Sequence, residues 1–225
     1  MPTFDIVRKS DIDNTFRVSK VMDDFDVKAE HSTEEFHGEI KFPDNWQIGI
    51  IVGGSGTGKS TIGRELFGDL INDDFEYKSK SVIDDMPGKD IQEIQKMFYA
   101  VGFGSVPSWL KPYSVLSNGE KMRVDLARKM LSSDFIVFDE FTSVVDRKVA
   151  RVMSIALNKA IKKYPNKKFV AIGCHFDIIE FLQPDWTFNT DKMQQVFQYP
   201  HEVSNDLKSK NANELSGENL NVIII

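Results

Sequence analysis

The feature that most constrains the fold is the segment GGSGTGKST, residues 53–61, which follows an apolar run. It matches the pattern G-x-x-x-x-G-K-[ST], in which glycines let successive backbone N–H groups turn toward an anion. The run before it, WQIGIIVG, predicts a buried strand, and a helix is predicted over about residues 59–70. A strand, a glycine-rich loop and a helix N-terminus in this order form a cradle for phosphate groups. The segment therefore predicts an α/β protein that binds a nucleoside triphosphate.

The residues of this cradle have distinct predicted roles. Lys59 brings a positive charge to the β- and γ-phosphates, and the Ser60 hydroxyl can join the ligands of Mg²⁺. The predicted phosphate-binding residues are Gly53, Gly54, Ser55, Gly56, Thr57, Gly58, Lys59, Ser60 and Thr61. The implied ligands are thus a nucleoside triphosphate and Mg²⁺.

A second apolar run, in FIVFDE, ends in the carboxylates Asp139 and Glu140. Parallel strands bring their carboxyl ends to one edge of a sheet, so these side chains should lie near the phosphate loop. Asp139 is the candidate Mg²⁺ ligand, commonly acting through water, and Glu140 the group that polarises the attacking water. The alternative is a strand end that simply meets solvent.

The segment LSNGE predicts a helix that starts at Ser117. Serine followed three residues later by glutamate, here Glu120, is a capping box. The N-terminal amides and the dipole of such a helix attract an anion. Asn118 belongs to a residue type that tolerates left-handed conformations, and Gly119 permits a close backbone approach. The segment is therefore a second candidate anion site.

The remaining elements favour an α/β core with a mainly parallel sheet. TFRVSKV and FHGEIKF predict two strands before the cradle, and KSKSVIDDMPGK predicts a strand that ends in a turn at Pro87. Helices are predicted in DIQEIQKMFYAVGF and over residues 146–164, and a further strand in KKFVAIGCH. The polar residues 201–225 predict a flexible tail.

Composition argues against several classes of protein. The net charge of −6 over 225 residues disfavours a generally basic nucleic-acid binder. The single cysteine, Cys174, excludes an internal disulfide framework, fits a reducing compartment and is expected to be a small packing residue. The N-terminus lacks a signal pattern and no apolar run is long enough for a membrane span, so a cytoplasmic location is expected.

In their order along the chain, these motifs resemble the ABC-type ATPases, which are P-loop NTPases. LSNGEKMRVDLAR matches the family's signature, FTSVVD after Glu140 its D-loop, and AIGCHFD its switch-histidine segment. The segments VGFGSVPSWLKPYSVLSNGE, DEFTSVVDR and QPDW are most similar to stand-alone ABC-type ATPases, which are sometimes fused to an acetyltransferase-like domain. No such domain is expected here, because the ATPase occupies the chain. The resemblance covers roughly residues 15–200.

The resemblance implies a fold with an N-terminal antiparallel β-subdomain and a reduced helical subdomain over approximately residues 86–132. One ABC-type domain is expected over residues 1–200. Two chains would close head to tail around two ATP molecules, which makes a symmetric dimer the natural assembly. The residues implied to contact the partner's ATP are Ser117, Asn118, Gly119 and Glu120. His175 would contact the γ-phosphate, and Asp146 would lie at the dimer contact.

The implied activity is hydrolysis of Mg-ATP by a soluble homodimer whose motion acts on another macromolecule. One alternative is a nucleotide-gated binding module with slow hydrolysis, associated with nucleic acid. Another is the ATPase subunit of a membrane transporter. Only 57 positions separate Lys59 from Leu116, which leaves little room for the helices that dock on a membrane partner and disfavours the transporter.

Three assignments stay open. The family's adenine-stacking aromatic corresponds to Phe25, or second to Phe36, although both fit core positions as well. Asp84 and Asp85 stand where the family has a glutamine, and they either bind Mg²⁺ or are turn residues. Residues 146–168 carry eight Lys and Arg against one Asp, which is either a solvated face or a patch for nucleic acid or an acidic partner.

Overall fold

The structure is a computed structural model that describes residues 3–10, 15–26, 32–71, 75–88 and 90–197. Its strands are β1 (Thr3–Ser10), β2 (Ser32–Glu39), β3 (Ile48–Val52), β4 (Phe135–Phe138), β5 (Lys168–Gly173), β6 (Trp186–Asn189) and β7 (Gln194–Phe197). Its α-helices are α1 (Phe16–Phe25), α2 (Lys59–Phe67), α3 (Ile91–Ala100), α4 (Val106–Trp109), α5 (Asn118–Ser132), α6 (Arg147–Lys162) and α7 (Ile179–Leu182). Short 3₁₀ helices span Gly68–Ile71, Val82–Asp85, Tyr113–Val115 and Phe176–Ile178.

The strands form two sheets. Five strands lie in the order β4-β5-β3-β6-β7, in which β4, β5, β3 and β6 are parallel and β7 is antiparallel to β6. The strands β1 and β2 form a separate antiparallel pair. This architecture confirms the predicted α/β fold with a mainly parallel sheet and a small N-terminal antiparallel sheet.

The central strand β3 is buried along its whole length, because both faces of the sheet are covered. On one face, Ile48, Ile50 and Val52 pack in a core shared with α3, α5 and α6. On the other face, Ile51 packs with Ile62 of α2. Burial on both faces fixes the carboxyl end of β3, and with it the start of the phosphate loop.

The helical part of the chain, α3 to α5, has a core of aromatic side chains. Phe98 packs against Phe103 and Trp109, with ring centroids 5.1 and 5.3 Å away. The Trp109 indole donates a hydrogen bond of 2.8 Å to the Phe103 carbonyl, so this large side chain leaves no polar group unpaired. Three helices within residues 91–132 fit the prediction of a reduced helical subdomain.

Two predicted strands are wrong. TFRVSKV belongs to α1, and the Thr15 hydroxyl caps that helix by accepting from the Val18 amide at 3.3 Å. A run of seven residues fits a helix as well as a strand, and the cap decides between them. KSKSVIDDMPGK contains the 3₁₀ helix Val82–Asp85 in place of a strand, because the Asp85 carboxylate accepts from the amides of Lys78 and Ser79 and curls the segment.

Two further predictions concern the ends of the chain and the membrane. Residues 201–225, the predicted flexible tail, lie outside the described residues, and the domain boundaries stay predictions. Within the described part of the chain, no helix combines the length and the apolarity needed to cross a bilayer.

Candidate functional site

The phosphate loop (residues 53–61) joins β3 to α2, as predicted. Gly56 and Gly58 have φ of 82° and 81°, in the left-handed region that favours glycine. A Cβ on Gly58 would lie 2.6 Å from the Phe36 ring, so this position also needs glycine for packing. The helix therefore starts with its N-terminal amides beside a glycine loop, as an anion site requires.

Lys59, the predicted phosphate ligand, is held inside the loop. Its residue is only 7% exposed, and its Nζ donates to the Gly54 carbonyl at 2.5 Å. The Thr57 hydroxyl donates to the same carbonyl at 2.9 Å. A buried ammonium with a backbone acceptor is a concentrated positive charge at the mouth of the loop.

Ser60 and Asp139 are brought together from different elements. The Ser60 hydroxyl, on α2, donates to Asp139 Oδ1 at 3.1 Å, and Asp139 follows the end of β4. A hydroxyl and a carboxylate are oxygen ligands of the kind that Mg²⁺ prefers. Among the described residues, no group of three or more His, Cys, Asp or Glu side chains could hold a metal ion. A cation here would take its remaining ligands from phosphate oxygens and water.

Glu140 has an unusual backbone for its residue type. Its φ is 53°, in the left-handed region that non-glycine residues rarely adopt. The conformation is held by the Ser143 amide and hydroxyl, which both donate to the Glu140 carbonyl at 3.0 and 2.7 Å. The Glu140 amide donates to Asp139 Oδ1 at 2.9 Å. Strained residues of this kind concentrate at functional sites.

His175 follows the end of β5, the strand that pairs with both β3 and β4. Its Nδ1 atom is buried and has no hydrogen-bond partner among the described residues. An unpaired buried polar atom costs about 1–3 kcal/mol, so its presence points to a group that a ligand could satisfy. Nearby, Arg147 donates to both carboxylate oxygens of Asp177 at 3.0 and 2.5 Å, which lowers the pKa of that carboxyl.

The signature segment (residues 117–120) forms the predicted capping box at the start of α5. The Ser117 hydroxyl accepts from the Glu120 amide at 3.4 Å, and the Glu120 carboxylate accepts from the Ser117 amide at 2.9 Å. Ser108 also donates to Glu120, at 2.7 Å, and this hydrogen bond is the main reason that the pKa of Glu120 is lowered. The helix start is confirmed, and its side chains are fixed by local contacts.

The signature segment shares a cavity with the carboxylates that follow β4. Among the described residues, no hydrogen bond joins residues 117–120 to residues 53–61. Asn118 instead lines a cavity of about 300 Å³ together with Asp139 and Glu140. The other lining residues are Tyr113, Lys121, Met122, Asp125, Phe138 and Val144.

Asp146, the predicted dimer contact, has a role inside the chain. It is the N-cap of α6, and its carboxylate accepts from the amides of Lys148 and Val149 at 2.9 and 3.0 Å. It is exposed, and it lies close enough to Arg123 of α5 for their charges to interact. Its place at a dimer contact stays a prediction.

The two adenine candidates occupy different surroundings. Phe25 is 74% exposed at the end of α1, rather than following a strand as predicted. Phe36 is half-buried on β2, and its ring lies against Gly58 of the phosphate loop. The geometry thus favours Phe36, the second choice, as the aromatic group nearer the cradle.

The carboxylates Asp84 and Asp85 fit the turn interpretation better than the metal one. Both Asp85 oxygens accept from the Ser79 amide at 3.1 Å, and Oδ1 also accepts from the Ser79 hydroxyl at 2.8 Å. Asp84 is exposed in the 3₁₀ helix. Neither carboxylate joins the Ser60–Asp139 pair, and a metal contact by either residue stays a prediction.

Four of the eight basic residues of 146–168 are used in local contacts. Arg147 pairs with Asp177, and Arg151 lies 4.6 Å from the centre of the Phe181 ring. Lys167 pairs with Asp134 at 2.9 Å, and Lys168 lies 4.8 Å from the centre of a Trp46 ring. These contacts favour a structural, solvated face over a nucleic-acid patch.

Sequence reasoning missed the turn between β6 and β7. The Gly54 amide donates to Asp191 Oδ1 at 2.9 Å, and the hydroxyls of Thr190 and Thr57 share a hydrogen bond of 2.6 Å. The only signal was Asn-Thr-Asp after an apolar run, which is typical of any turn. The contact of this turn with the phosphate loop can be inferred only once β6 is known to pair with β3.

The fold was compared with known proteins. No model of a known protein family matches the chain, and no curated protein matches its sequence. Among solved structures, the chain is similar to a dimeric post-hydrolysis state of the ATP-binding cassette MJ0796 bound to ADP and Pi. The TM-score is 0.56 at 13% identity, and the match covers 83% of this chain and 92% of that one.

Two further solved structures are similar. One is cbiO1 from Clostridium perfringens, part of the ABC transporter complex cbiONQ, with a TM-score of 0.52 at 18% identity over 82% of this chain and 84% of that one. The other is a bacterial Atm1-family ABC exporter with ATP bound, with a TM-score of 0.50 at 18% identity over 66% of this chain. The match spans 33% of the exporter's length. Together these similarities show that the chain has the fold of the ABC ATPase cassettes.

Proposed function

We propose that this protein is an ABC-type ATPase that binds and hydrolyses Mg-ATP as a head-to-tail homodimer in the cytoplasm. The observation that carries the proposal is the hydrogen bond of 3.1 Å between Ser60 and Asp139, at the mouth of a glycine loop that holds a buried Lys59. This combination of hydroxyl, carboxylate and ammonium is the one that phosphoryl transfer from a nucleotide needs.

The phosphate loop is the binding part of the site. We propose that the amides of residues 56–61 bind the triphosphate and that Lys59 donates to the β- and γ-phosphate oxygens. The ammonium has three N–H donors, so Lys59 can keep its bond to the Gly54 carbonyl while it donates to the phosphates.

A magnesium ion fits the residues at the Ser60–Asp139 pair, because both supply oxygen and the phosphates can complete its ligands. When bound, the ion neutralises charge on the β- and γ-phosphates. Ser60 and Asp139 are the residues that would hold it.

Glu140 and His175 are the proposed catalytic side chains. Glu140 is exposed at the end of β4, where its carboxylate can accept a proton from the attacking water. His175 follows β5, and we propose that its ring contacts the γ-phosphate. Both follow neighbouring strands, β4 and β5, so their backbones converge on one sheet edge.

The dimer brings the signature segment to a partner's ATP. Ser117 and Asn118 are exposed at the N-terminus of a helix of 15 residues, and among the described residues no hydrogen bond joins them to the phosphate loop. A second copy related by twofold symmetry can supply this contact to both sites at once. The dimeric state of the MJ0796 cassette supports this arrangement.

Opening and closing of the dimer is proposed to act on another macromolecule. A second candidate is the ATPase subunit of a membrane transporter, which is favoured by the similarity to cbiO1 of the cbiONQ transporter complex. The helical part exposes apolar side chains, among them Tyr99, Leu110 and Val115, where either kind of partner could dock. Capture with an ATP-trapped variant separates the two, since a transporter subunit should retain an integral membrane protein.

The proposed function is tested by the substitution Glu140→Gln. We expect ATP turnover to fall by about 10²–10⁴-fold, because the general base is lost while nucleotide binding is retained. At saturating Mg-ATP the variant should elute from size-exclusion chromatography as a dimer, and as a monomer without nucleotide.

The matched control is Glu180→Gln, which changes an exposed glutamate on α7. It should keep the wild-type turnover and show no trapped dimer. A Glu140→Gln protein that binds Mg-ATP and stays monomeric would contradict the dimer, and one that hydrolyses ATP at the wild-type rate would contradict the assigned base.

A further inference from the structure

The turn between β6 and β7 lies against the first half of the phosphate loop. The parallel register of β3 and β6 pairs Val52 with Asn189, so the residues after each strand also run side by side. The Thr190 amide continues this ladder by donating to the Val52 carbonyl at 2.9 Å. Thr190 and Asp191 therefore occupy fixed positions beside Gly53 and Gly54.

Hydrogen bonds hold both the amide and the carbonyl of Gly54. Its amide donates to Asp191 Oδ1 at 2.9 Å. Its carbonyl accepts from Lys59 Nζ at 2.5 Å and from the Thr57 hydroxyl at 2.9 Å. The amide and the carbonyl belong to two successive peptide groups, so these bonds together fix both backbone dihedral angles of the residue.

A glycine needs such external fixing more than any other residue. It has no Cβ to restrict its dihedral angles, and two glycines in succession leave the chain at this point with little conformational preference of its own. The Asp191 carboxylate supplies an acceptor that selects one orientation of the Gly54 amide. Since Lys59 bonds to the carbonyl of the same residue, the position of the ammonium depends on that orientation.

Thr190 contacts the phosphate loop at Gly53 and Thr57. It is 5% exposed, and its hydroxyl shares a hydrogen bond of 2.6 Å with Thr57. A Cβ on Gly53 would overlap the Thr190 hydroxyl. The Thr190 side chain therefore fills the space beside Gly53 and also orients Thr57.

The turn between β6 and β7 is held by its own hydrogen bonds, independently of the phosphate loop. The Asn189 side-chain oxygen accepts from the amides of Asp191 and Lys192 at 2.9 and 3.3 Å, which is an Asx turn. Met193 follows with a left-handed φ of 49°. The Asp191 carboxylate is thus presented by a turn with its own hydrogen bonds.

We propose that Thr190 and Asp191 are positioning residues for the nucleotide. They hold Gly53, Gly54 and Thr57 in the conformation that aims Lys59 at the phosphates, and they do so without touching the nucleotide. This inference rests on the proposed function, because it assumes that residues 53–61 bind ATP.

The test measures Mg-ATP affinity by isothermal titration calorimetry for wild type, Asp191→Ala, Asp191→Asn and Thr190→Val. Asp191→Ala removes the acceptor, and its affinity should fall about tenfold, the factor that the loss of one charge-assisted hydrogen bond typically costs. Asp191→Asn keeps an oxygen acceptor and removes a negative charge beside an anion site. It should bind Mg-ATP at least as tightly as wild type.

Thr190→Val keeps the shape of the side chain and removes its hydroxyl, and a loss of about threefold is expected from one neutral hydrogen bond. The control, Lys192→Ala, changes an exposed side chain in the same turn and should leave the affinity unchanged. Melting temperatures of all variants report separately on folding.

The outcomes are distinct. Rescue by Asn with loss in Ala supports positioning through the Gly54 amide. Equal loss in Asn and Ala, or wild-type affinity in Asp191→Ala, overturns the inference and leaves the proposed function intact. A wild-type protein that binds no Mg-ATP overturns both.

Discussion

The phosphate loop and the signature segment are both candidate anion sites at a helix N-terminus, and they are held in opposite ways. The phosphate loop is anchored by distant parts of the chain: β3 leads into it, Asp191 holds Gly54, and Phe36 lies against Gly58. The signature segment is anchored by contacts close in sequence: its own capping box, a bond from Ser108 to Glu120 and a bond from Arg123 to the Gly119 carbonyl. The first site is enclosed by its own chain, whereas the second is open.

The two sites therefore differ in what each still needs before it can bind an anion. A loop held by long-range contacts is complete once the chain has folded. A helix start held by local contacts is equally well formed, and Ser117 and Asn118 are exposed there, where a second chain could bring a ligand. The pairing of one enclosed and one open site in a single chain suits a nucleotide that is shared between two copies.

The largest effect on ATP turnover is expected from a substitution in the phosphate loop. Lys59→Ala should lower ATP turnover by about 100- to 1,000-fold, because a preorganised positive charge at the transferring phosphoryl group is lost. The control Lys163→Ala changes an exposed lysine and should leave turnover unchanged. Steady-state phosphate release measures both, and near wild-type turnover in Lys59→Ala would contradict the assignment of the loop.

The comparison predicts that a defect at the open site is repaired by a second chain. Ser117→Arg should abolish turnover on its own, because a bulky cation fills the contact to the partner's phosphates. In an equal mixture with Lys59→Ala, random pairing gives half of the dimers one intact composite site, and about a quarter of the wild-type rate should return. A mixture as inactive as its components would show that the two sites act within one chain.

A smaller effect is expected where Tyr77 and Tyr113 contact Asp125 of α5. The Tyr77 and Tyr113 rings stack at 3.9 Å, and both hydroxyls donate to Asp125 at 2.7 Å. Burial and the Asp125 charge raise the pKa of Tyr77, which keeps its hydroxyl a donor. Tyr77→Phe keeps the stack and should lower the free energy of unfolding by about 1.5 kcal/mol.

Urea denaturation measures this change, and the matched control is Tyr99→Phe. Tyr99 is an exposed tyrosine on α3, so the loss of its hydroxyl should change the free energy of unfolding by less than about 0.5 kcal/mol. Equal effects in the two variants would mean that the Tyr77–Asp125 bond does not stabilise the fold.

The smallest effect is the pH dependence of the capping box. The pKa of Glu120 is lowered in the folded state, mainly by the Ser108 hydrogen bond, from an ordinary value of 4.5. The carboxylate therefore stabilises the fold above about pH 4.5, and this contribution is lost as the pH falls through the lowered pKa. Glu120→Gln should flatten the fall of the melting temperature in that range, and an identical slope in both proteins would contradict the prediction.

Much of this organisation could be predicted from sequence, because it depends on neighbours along the chain. The strand before Gly53, the helix from Lys59 and the capping box at Ser117 are each set by a few adjacent residues. The proximity of Ser60 and Asp139 followed from the rule that parallel strands end at one edge.

The rest depended on contacts that no local pattern encodes. The segment from Phe16 was too short to distinguish the periods of a helix and a strand, and the Thr15 cap was overlooked. The segment before Pro87 curls because Asp85 bonds back to Ser79. The role of the Asn189 turn required the order of the strands, which the sequence does not state.

The contact between Gly53 and Thr190 sets a rule for change at these two positions. The space that a side chain at position 53 would need is already filled, mainly by the Thr190 hydroxyl and next by the Thr57 hydroxyl. Replacement of Gly53 with alanine therefore requires a smaller or displaced side chain at position 190 and a shift of Thr57. Positions 53 and 190, which are 137 residues apart in sequence, are therefore expected to change together.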